Sequence, residues 1–266
     1  MNSVPPAPDA AFRKYSYAGA YHHALMQQDE FYITKIQTAV AMVRVADVVI
    51  DIGCGDGVFV QYARERGGRV IGLDPSLEGL RLARSMVGGG GLCAASARHL
   101  PLPAQMADLV MMIDVVNYLD ECDEVVAEAA RVLKPGGALV IMSPFEISLQ
   151  KERAQFADSW QARAWSDLEL RDLAARYFAA VDVTYIKKVT PRGGLGPVLQ
   201  LARRIGLIRP AAALAKMLVG RARATTPAPR VDGEPIVLNS LGLPPALAGP
   251  PQILEFILVA RKGIPA

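Results

Sequence analysis

A short strand that runs into glycines at alternate positions constrains the fold of this chain more than any other feature. Residues 48–57 read VVIDIGCGDG, so a mainly β-branched run stops at Gly53 and is followed by Gly55 and Gly57. Glycine at such positions lets the backbone turn sharply and lets a ligand approach the main chain. Residues 58–66 then favour a helix, whose free N-terminal amides suit a carboxylate or phosphate. The segment predicts a strand–turn–helix unit with a ligand at the turn.

Strand and helix patterns alternate along most of the remaining chain. Short apolar runs predict seven strands, at residues 48–52, 69–73, 92–95, 109–113, 138–142, 181–187 and 253–260. This alternation implies a parallel sheet with helices on both faces. Asp74 follows the predicted second strand. In a nucleotide-binding α/β unit, an acid at that strand end binds ribose hydroxyls.

Length and composition narrow the class of protein. The chain has 266 residues, of which 52% are hydrophobic and 21% charged, which suits one large folded domain and argues against disorder. The uncharged run at 235–254 is interrupted by prolines, and residues 1–12 lack the pattern of a signal peptide. Three scattered cysteines and three histidines favour neither a disulfide framework nor a metal site. We therefore expect a soluble protein of the reducing cytoplasm.

The glycine spacing and three downstream segments together resemble one family. The spacing is G-x-G-x-G, whereas dinucleotide-binding folds prefer G-x-G-x-x-G. The chain resembles the class I S-adenosylmethionine-dependent methyltransferases, strongly over residues 45–145 and more weakly over 165–188 and 252–262. The supporting segments are HLPLP at 99–103, which is similar to the family's LPF loop, ADLV at 107–110, similar to its FDLV strand, and RVLKPGG at 131–137, which matches its own segment.

The resemblance implies a specific architecture. We expect an α/β fold with a doubly wound, mainly parallel sheet of seven strands, in the order 3-2-1-4-5-7-6 with the seventh strand antiparallel. The predicted segments are a disordered tail at 1–10, N-terminal cap helices at 11–45, a methyltransferase core at 46–189, a Pro-rich basic helical insertion at 190–251 and the last core strand at 252–266.

The family's cofactor, S-adenosyl-L-methionine, implies a set of binding residues. They are Asp51, Gly53, Cys54, Gly55, Asp74, Pro75, Ser96, Ala97 and Ile113. The glycines and the Asp51 region would cradle the methionine portion, and Asp74 would hold the ribose. Ser96 stands where relatives often have an aspartate that reads the adenine amino group. His99 and Leu100 would border the adenine.

The resemblance implies catalysis by in-line displacement at the sulfonium of the cofactor. In such a reaction the protein mainly positions the acceptor. The candidates for a general base are Asp114, Tyr118, Tyr21, His22 and His23. Asp114 and Tyr118 follow the fourth strand, at the sheet edge where open α/β sheets bind ligands. A turn-capping role for Asp114 and a packing role for the Tyr–His cluster stay open. In some relatives the acids and a histidine that follow the fourth strand can bind a divalent ion. In this chain that segment keeps one carboxylate, that of Asp114, so no metal is expected.

The expected function is methyl transfer to a small or medium-sized non-polymeric acceptor, with O- or N-methylation favoured. One alternative is methylation of a lipid-linked or phosphorylated acceptor at a membrane surface. Two further rivals are a nicotinamide-dependent oxidoreductase and a non-catalytic cofactor-binding module. No nucleic-acid partner is expected, because basic residues are not interleaved with aromatic ones. The acceptor and the oligomeric state stay open.

A basic window near the C-terminus is the second informative feature. Between Val183 and Val231 the chain has ten lysines and arginines and no acid, which leaves 19 bases against 26 acids elsewhere. Apolar and basic residues alternate within 198–221 and predict two short amphipathic helices. These would form a substrate lid, a face on anionic lipid, or an ordinary covering pair with a solvated rim. Weak membrane-surface contact is therefore one predicted partner interaction.

Vesicle co-sedimentation separates the membrane and lid hypotheses. Each base near an anionic surface adds about 1 kcal/mol of attraction, which salt screens. A membrane face predicts sedimentation with anionic vesicles at low salt and loss at high salt, with neutral vesicles as the control. No sedimentation with either vesicle rejects that hypothesis and leaves the lid. Deletion of residues 193–223 should then raise the KM for the acceptor and leave cofactor affinity within a few fold.

Overall fold

The computed structural model describes residues 19–145, 164–190, 234–238 and 248–264. The predicted tail at 1–10 and most of the predicted insertion at 190–251, including both basic amphipathic helices, lie outside these ranges. Within them, no helix has the length and apolar character needed to cross a membrane.

Six α-helices lie in the described ranges, and side-chain caps explain where several of them begin. They are α1 Tyr21–Gln28, α2 Glu30–Ala41, α3 Val58–Glu65, α4 Leu77–Val87, α5 Asp123–Val132 and α6 Asp167–Ala174. Asp29 caps α2 by accepting a hydrogen bond from the Tyr32 amide. Ser76 caps α4 in the same way, and Ser166 begins α6 with a capping box. Helices α1 and α2 fall inside the predicted cap-helix region.

The strands form one sheet of order β3-β2-β1-β4-β5-β8-β6-β7. They are β1 Val48–Ile52, β2 Arg69–Asp74, β3 Leu92–Ala94, β4 Ala107–Ile113, β5 Leu133–Pro144, β6 Ala180–Lys188, β7 Ile236–Leu238 and β8 Gln252–Arg261. Strand β8 is antiparallel to both of its neighbours, and the other pairs are parallel. The predicted order and the antiparallel last core strand are confirmed.

The predicted count of seven strands is wrong by one. The additional strand, β7, has three residues and pairs with the end of β6 at the sheet edge. Its sequence lies between prolines inside the range predicted as a helical insertion, and three apolar residues are too short a run to identify a strand. Edge pairing is a tertiary event, because the free edge of β6 supplies the partner groups. The family architecture is unchanged by this addition.

Helices cover both faces of the sheet, and the sheet separates the two larger apolar clusters of the core. One apolar cluster joins α5 and α6 to the sheet, and the other joins α2 and α3 to the opposite face. Strand β1 lies between these layers, and residues 49–52 are buried. This explains why its sequence is almost continuously apolar rather than alternating.

The strand order places a crevice at the carboxyl edge of β1. Strands β2 and β4 flank β1 on opposite sides, so the chain reverses its direction of travel across the sheet there. Open α/β sheets bind ligands at such a switch point. The ends of three strands, at Ile52, Asp74 and Ile113, therefore meet at one edge.

The central packing of β8 can be tested by truncation. Leu258 is wholly buried, so Leu258→Ala should lower the free energy of unfolding by about 2–5 kcal/mol through lost burial and a cavity. Val45 is 79% exposed. Val45→Ala, the control, should change the free energy by less than about 0.5 kcal/mol. Urea unfolding followed by circular dichroism measures both, and equal losses would contradict this packing.

Candidate active site

The turn after β1 has a backbone that glycine alone adopts readily. Gly53, Gly55 and Gly57 all have positive φ angles, of 76°, 53° and 84°. At Gly53 there is a second constraint, because an added Cβ would lie 2.4 Å from a methyl carbon of Val115. The turn therefore brings the end of β1 against the loop that follows β4.

The Asp74 carboxylate is held by main-chain amides at the adjacent strand end. It accepts hydrogen bonds from the amides of Gly55, at 2.8 Å, and Ser76, at 2.7 Å. These bonds fix the carboxylate against the glycine turn. Asp74 is buried and lines a cavity of about 350 Å³ at the carboxyl edge of the sheet.

The structure brings most of the predicted site residues together around that cavity. Its lining includes the predicted cofactor residues Gly53, Asp74, Pro75, Ser96, Ala97 and Ile113. The predicted catalytic residues His22, Asp114 and Tyr118 also line it. Asp51 and Cys54 instead line a smaller cavity of about 40 Å³, which shares His22, Gly53, Ile113 and Asp114 with the larger one.

Several predicted residues do not line either cavity. Gly55 acts through its amide on Asp74, and the Tyr21 ring packs on the His22 ring with 4.1 Å between centroids. His99 is exposed, and Leu100 is buried away from the cavities, so neither borders the space where the adenine was expected. Both lie three residues after Ser96 and Ala97, which do line the larger cavity.

An Asp–His pair attaches α1 to the glycine turn. His22 Nδ1 lies 2.9 Å from Asp56 Oδ1, and the His22 amide donates to the other carboxylate oxygen at 3.0 Å. His23 Nε2 lies 3.0 Å from the Asp56 carbonyl oxygen. Burial opposes the charge of Asp56, but the hydrogen bonds and charge of His22 outweigh it and lower the pKa of Asp56. The cap helix is thus joined to the loop by an ionised carboxylate.

A buried lysine joins α2 to two strands. Lys35 is 3% exposed, and its Nζ lies 2.8 and 2.7 Å from the two carboxylate oxygens of Asp114. The same Nζ lies 2.7 Å from Glu255 Oε2 on β8. Burial alone would lower the pKa of Lys35, but Asp114 and Glu255 outweigh it and raise the pKa. Lys35 therefore stays protonated and holds the Asp114 side chain in place through both of its oxygens.

Asp51 differs from these acids because it has no such partner. It is 2% exposed, and among the described residues its carboxyl group makes no hydrogen bond or ion pair. Burial, followed by the charge of Asp74, raises the pKa of Asp51 to about 8. Burial likewise raises the pKa of Cys54, so that this residue remains a thiol within the turn.

Comparison with known proteins agrees with this geometry. Residues 50–141 match the model of the methyltransferase domain family. The malonyl-(acyl-carrier protein) O-methyltransferase of Hamiltonella defensa is 30% identical over 166 residues, which cover 59% of this chain and 62% of that protein. Methyltransferase GfsG of Streptomyces halstedii is 37% identical over 100 residues, 35% of this chain and 36% of GfsG. The chain thus spans between a third and two thirds of the length of these relatives.

Residues 50–141 form a class I S-adenosylmethionine-dependent methyltransferase domain. A solved S-adenosylmethionine-dependent methyltransferase from Thermotoga maritima has the same fold, with a TM-score of 0.60 at 17% identity. That likeness covers 94% of this chain and 99% of the other. The family resemblance predicted from the motifs is confirmed.

Three residues of this methyltransferase site were not predicted from the sequence. Asp56, Lys35 and Glu255 act on predicted residues, and they come from separate parts of the chain. Lys35 shares the buried face of α2 with Tyr32, and a charge at such a position is the one sequence signal that could have identified it. Its partners are 79 and 220 residues away along the chain, so that no local pattern connects them.

The glycine turn can be tested with a matched pair of variants. Gly53 and Gly19 both have positive φ, but an added Cβ clashes only at Gly53 and meets nothing within 4 Å at Gly19. Both alanine variants should incur about 1–2 kcal/mol of backbone strain. Gly53→Ala should lose about 1–3 kcal/mol more, through overpacking against Val115. Urea unfolding measures the difference. S-adenosylmethionine titration should show weakened binding in Gly53→Ala alone, and equal behaviour of the pair would contradict the turn geometry.

Proposed function

We propose that this chain transfers the methyl group of S-adenosylmethionine to an oxygen or nitrogen of a small or medium-sized non-polymeric acceptor. One observation carries the proposal: a single cavity at the switch point is lined by His22, Gly53, Asp74 and Asp114, from four separate segments. When bound, the cofactor supplies an activated methyl group on a sulfonium. The residues of the chain would bind the cofactor, orient the acceptor and exclude water.

The residues present fit the cofactor. Asp74 is a fixed carboxylate at the strand end where ribose hydroxyls bind, and the positive-φ glycines leave the main chain open beside it. The buried carboxyl group of Asp51, which has no partner among the described residues, lies next to the same turn and suits a cationic ligand. Ser96 and Ala97 line the far part of the cavity and would meet the adenine. These roles are proposals.

We assign the general base to His22 rather than Asp114. Asp56 binds Nδ1 of His22 and orients the ring in the wall of the cavity, where the imidazole would take up the acceptor's proton. Asp114 is already paired with Lys35 through both oxygens, so a proton on Asp114 would disrupt a buried ion pair. Asp114 instead accepts a hydrogen bond from the acceptor or cofactor. Tyr118 lines the same wall of the cavity.

The relatives favour O-methylation. The Hamiltonella defensa relative is named for methylating malonyl-(acyl-carrier protein), whose acceptor is a carboxylate oxygen on a carried acyl group. Either a free small molecule or a carrier-linked acid is therefore a candidate acceptor. The basic window at 183–231 would suit an anionic acceptor. It would also suit an anionic membrane surface, so methylation of a lipid-linked or phosphorylated acceptor at such a surface is the second candidate function. A nicotinamide-dependent oxidoreductase is disfavoured by the methyltransferase match.

Titration calorimetry and a labelled-methyl assay test this function. The chain should bind S-adenosylmethionine and its demethylated product, and should not bind NAD. It should also transfer labelled methyl groups from S-adenosylmethionine to a metabolite extract or to a malonyl carrier protein. Binding of NAD in place of S-adenosylmethionine would reject the proposal, and cofactor binding without transfer to any acceptor would favour a non-catalytic module.

The base assignment has a matched control on the same helix. His22→Asn should slow transfer to a hydroxyl or amine acceptor by about 10²–10⁴-fold, with cofactor affinity within a few fold. His23 contacts the same loop residue but lines neither cavity, so His23→Asn should slow transfer by no more than about threefold. Parent-like rates of transfer to a hydroxyl or amine in His22→Asn would contradict this base assignment. A carboxylate acceptor has no proton to lose at pH 7, so transfer to a carboxylate should not depend on His22.

A further inference from the structure

Two polar side chains lie where the two cavities meet. The residues that line both cavities are His22, Gly53, Ile113 and Asp114. Of these, His22 and Asp114 have polar side chains, and each is bound by another residue of the chain. Nδ1 of His22 lies 2.9 Å from an oxygen of Asp56, and both side-chain oxygens of Asp114 bind Lys35. A ligand at this junction therefore meets an imidazole and a carboxyl group together.

The main chain at Asp114 has a conformation that is unusual for a residue other than glycine. Its φ angle is 57°, and its amide donates to the Met142 carbonyl oxygen at 2.9 Å. Such strain persists where the surroundings hold a residue in place, and it is common at functional sites. Here Lys35 on α2 holds the side chain, and Met142 on β5 holds the main chain. A residue of the cap helices thus fixes the direction of an acid in the cavity wall.

Lys35 is shared between two acids. Its Nζ lies 2.7 Å from an oxygen of Asp114 and 2.7 Å from an oxygen of Glu255, so that one lysine cannot neutralise both. The side chains of Lys35 and Glu255 are 3% and 0% exposed, whereas that of Asp114 is 30% exposed. Asp114 is therefore the member of this group that a ligand can reach.

The other charged residues of the larger cavity offer no unpaired cation within the described ranges. They are Asp74, Asp120 and Arg98. The Asp74 side chain is held by main-chain amides, and the Arg98 guanidinium lies 3.2 Å from Glu124. A carboxylate acceptor would lose its hydration here and meet acids in place of a cation. These surroundings favour an acceptor group that donates hydrogen bonds.

The number of hydrogen-bond donors separates the acceptor classes. A protonated primary or secondary amine has two or more N–H donors, a hydroxyl has one, and a carboxylate has none. We propose that the acceptor is an amine that donates one N–H to Asp114 and another to His22, and that Lys35 is the positioning residue of Asp114. This inference rests on the proposed function and narrows its oxygen or nitrogen acceptor to nitrogen.

The transfer to an amine balances without a further reactant. The bound ammonium gives one proton to the His22 imidazole, while its hydrogen bond to Asp114 keeps the nitrogen in place. The lone pair that this proton leaves on nitrogen forms the new bond to the methyl carbon. The electron pair of the broken carbon–sulfur bond stays on sulfur, and the methylated nitrogen carries the positive charge. Lys35 takes part in no bond change and acts through Asp114 alone.

The chemistry of the product tests the acceptor class. The chain is incubated with S-adenosylmethionine that carries an isotope-labelled methyl group and with a metabolite extract. The NMR chemical shift of the transferred methyl group distinguishes attachment to nitrogen from attachment to oxygen, and mild alkali releases methanol from esters alone. We expect N-methyl products that survive alkali. Methyl esters or ethers as the main products would overturn the inference, whereas no labelled product at all would reject the proposed function itself.

Asp114→Asn and a matched control test the acid. Asparagine tolerates a positive φ and keeps the shape of the side chain, but it places an NH₂ donor where a carboxyl oxygen accepted. N-methylation should slow by about 10–100-fold, with S-adenosylmethionine affinity within a few fold. Asp182 is exposed on β6, so Asp182→Asn should keep the rate of the parent chain. A parent-like rate in Asp114→Asn would overturn the assignment of this acid to the acceptor.

A double variant separates positioning by Lys35 from its contribution to folding. Lys35→Met alone leaves the buried group with two acids and no cation, and it should lower the free energy of unfolding. Adding Glu255→Gln removes the second acid, so the double variant should recover part of that stability in urea. Its Asp114 has still lost the contact that orients it, so N-methylation should stay about tenfold or more below the parent rate. Recovery of the rate together with the stability would overturn the positioning role.

Discussion

Every part of the site depends on the turn after β1, where the backbone adopts angles that only glycine tolerates well. Gly53 lets the end of β1 pack directly against Val115, which closes the floor of the cavity between β1 and β4. Its neighbour Gly55 supplies the amide that holds Asp74. The turn therefore sets the distance between three strand ends. A side chain at Gly53 would separate the loops that the cofactor must contact together.

Two groups of polar contacts then attach the cap helices to the site. The Asp56–His22 pair joins α1 to the loop, and the Lys35–Asp114–Glu255 group joins α2 to β8 and to the loop after β4. Buried ion pairs contribute little net stability but are costly to break singly. Their value here is in position: each pair holds a functional carboxylate or imidazole in one orientation.

The RVLKPGG segment, although it identified the family, acts on the fold rather than on the cavity. The Arg131 guanidinium donates to the carbonyl oxygens of Leu102 and Leu100 and holds Glu128, which lowers the pKa of Glu128 to about 2. These bonds fix the loop that precedes β4. Lys134 pairs with Asp108, which also accepts a hydrogen bond from the Val48 amide. That contact fixes the opposite edge of the sheet.

The sequence by itself determined the glycine turn and the acid at the end of β2, because local periodicity and residue types that one backbone geometry favours predict both. The motifs identified the family, and the strand order came from that resemblance. The tertiary structure alone decided which charges are satisfied. Lys35 meets Asp114 and Glu255, and Asp56 meets His22, across long chain separations, because strand ends and cap helices converge in space. Asp51 was predicted at the cofactor site, but that none of the described residues pairs with it depends on where every neighbouring charge lies, and local sequence carries no record of that.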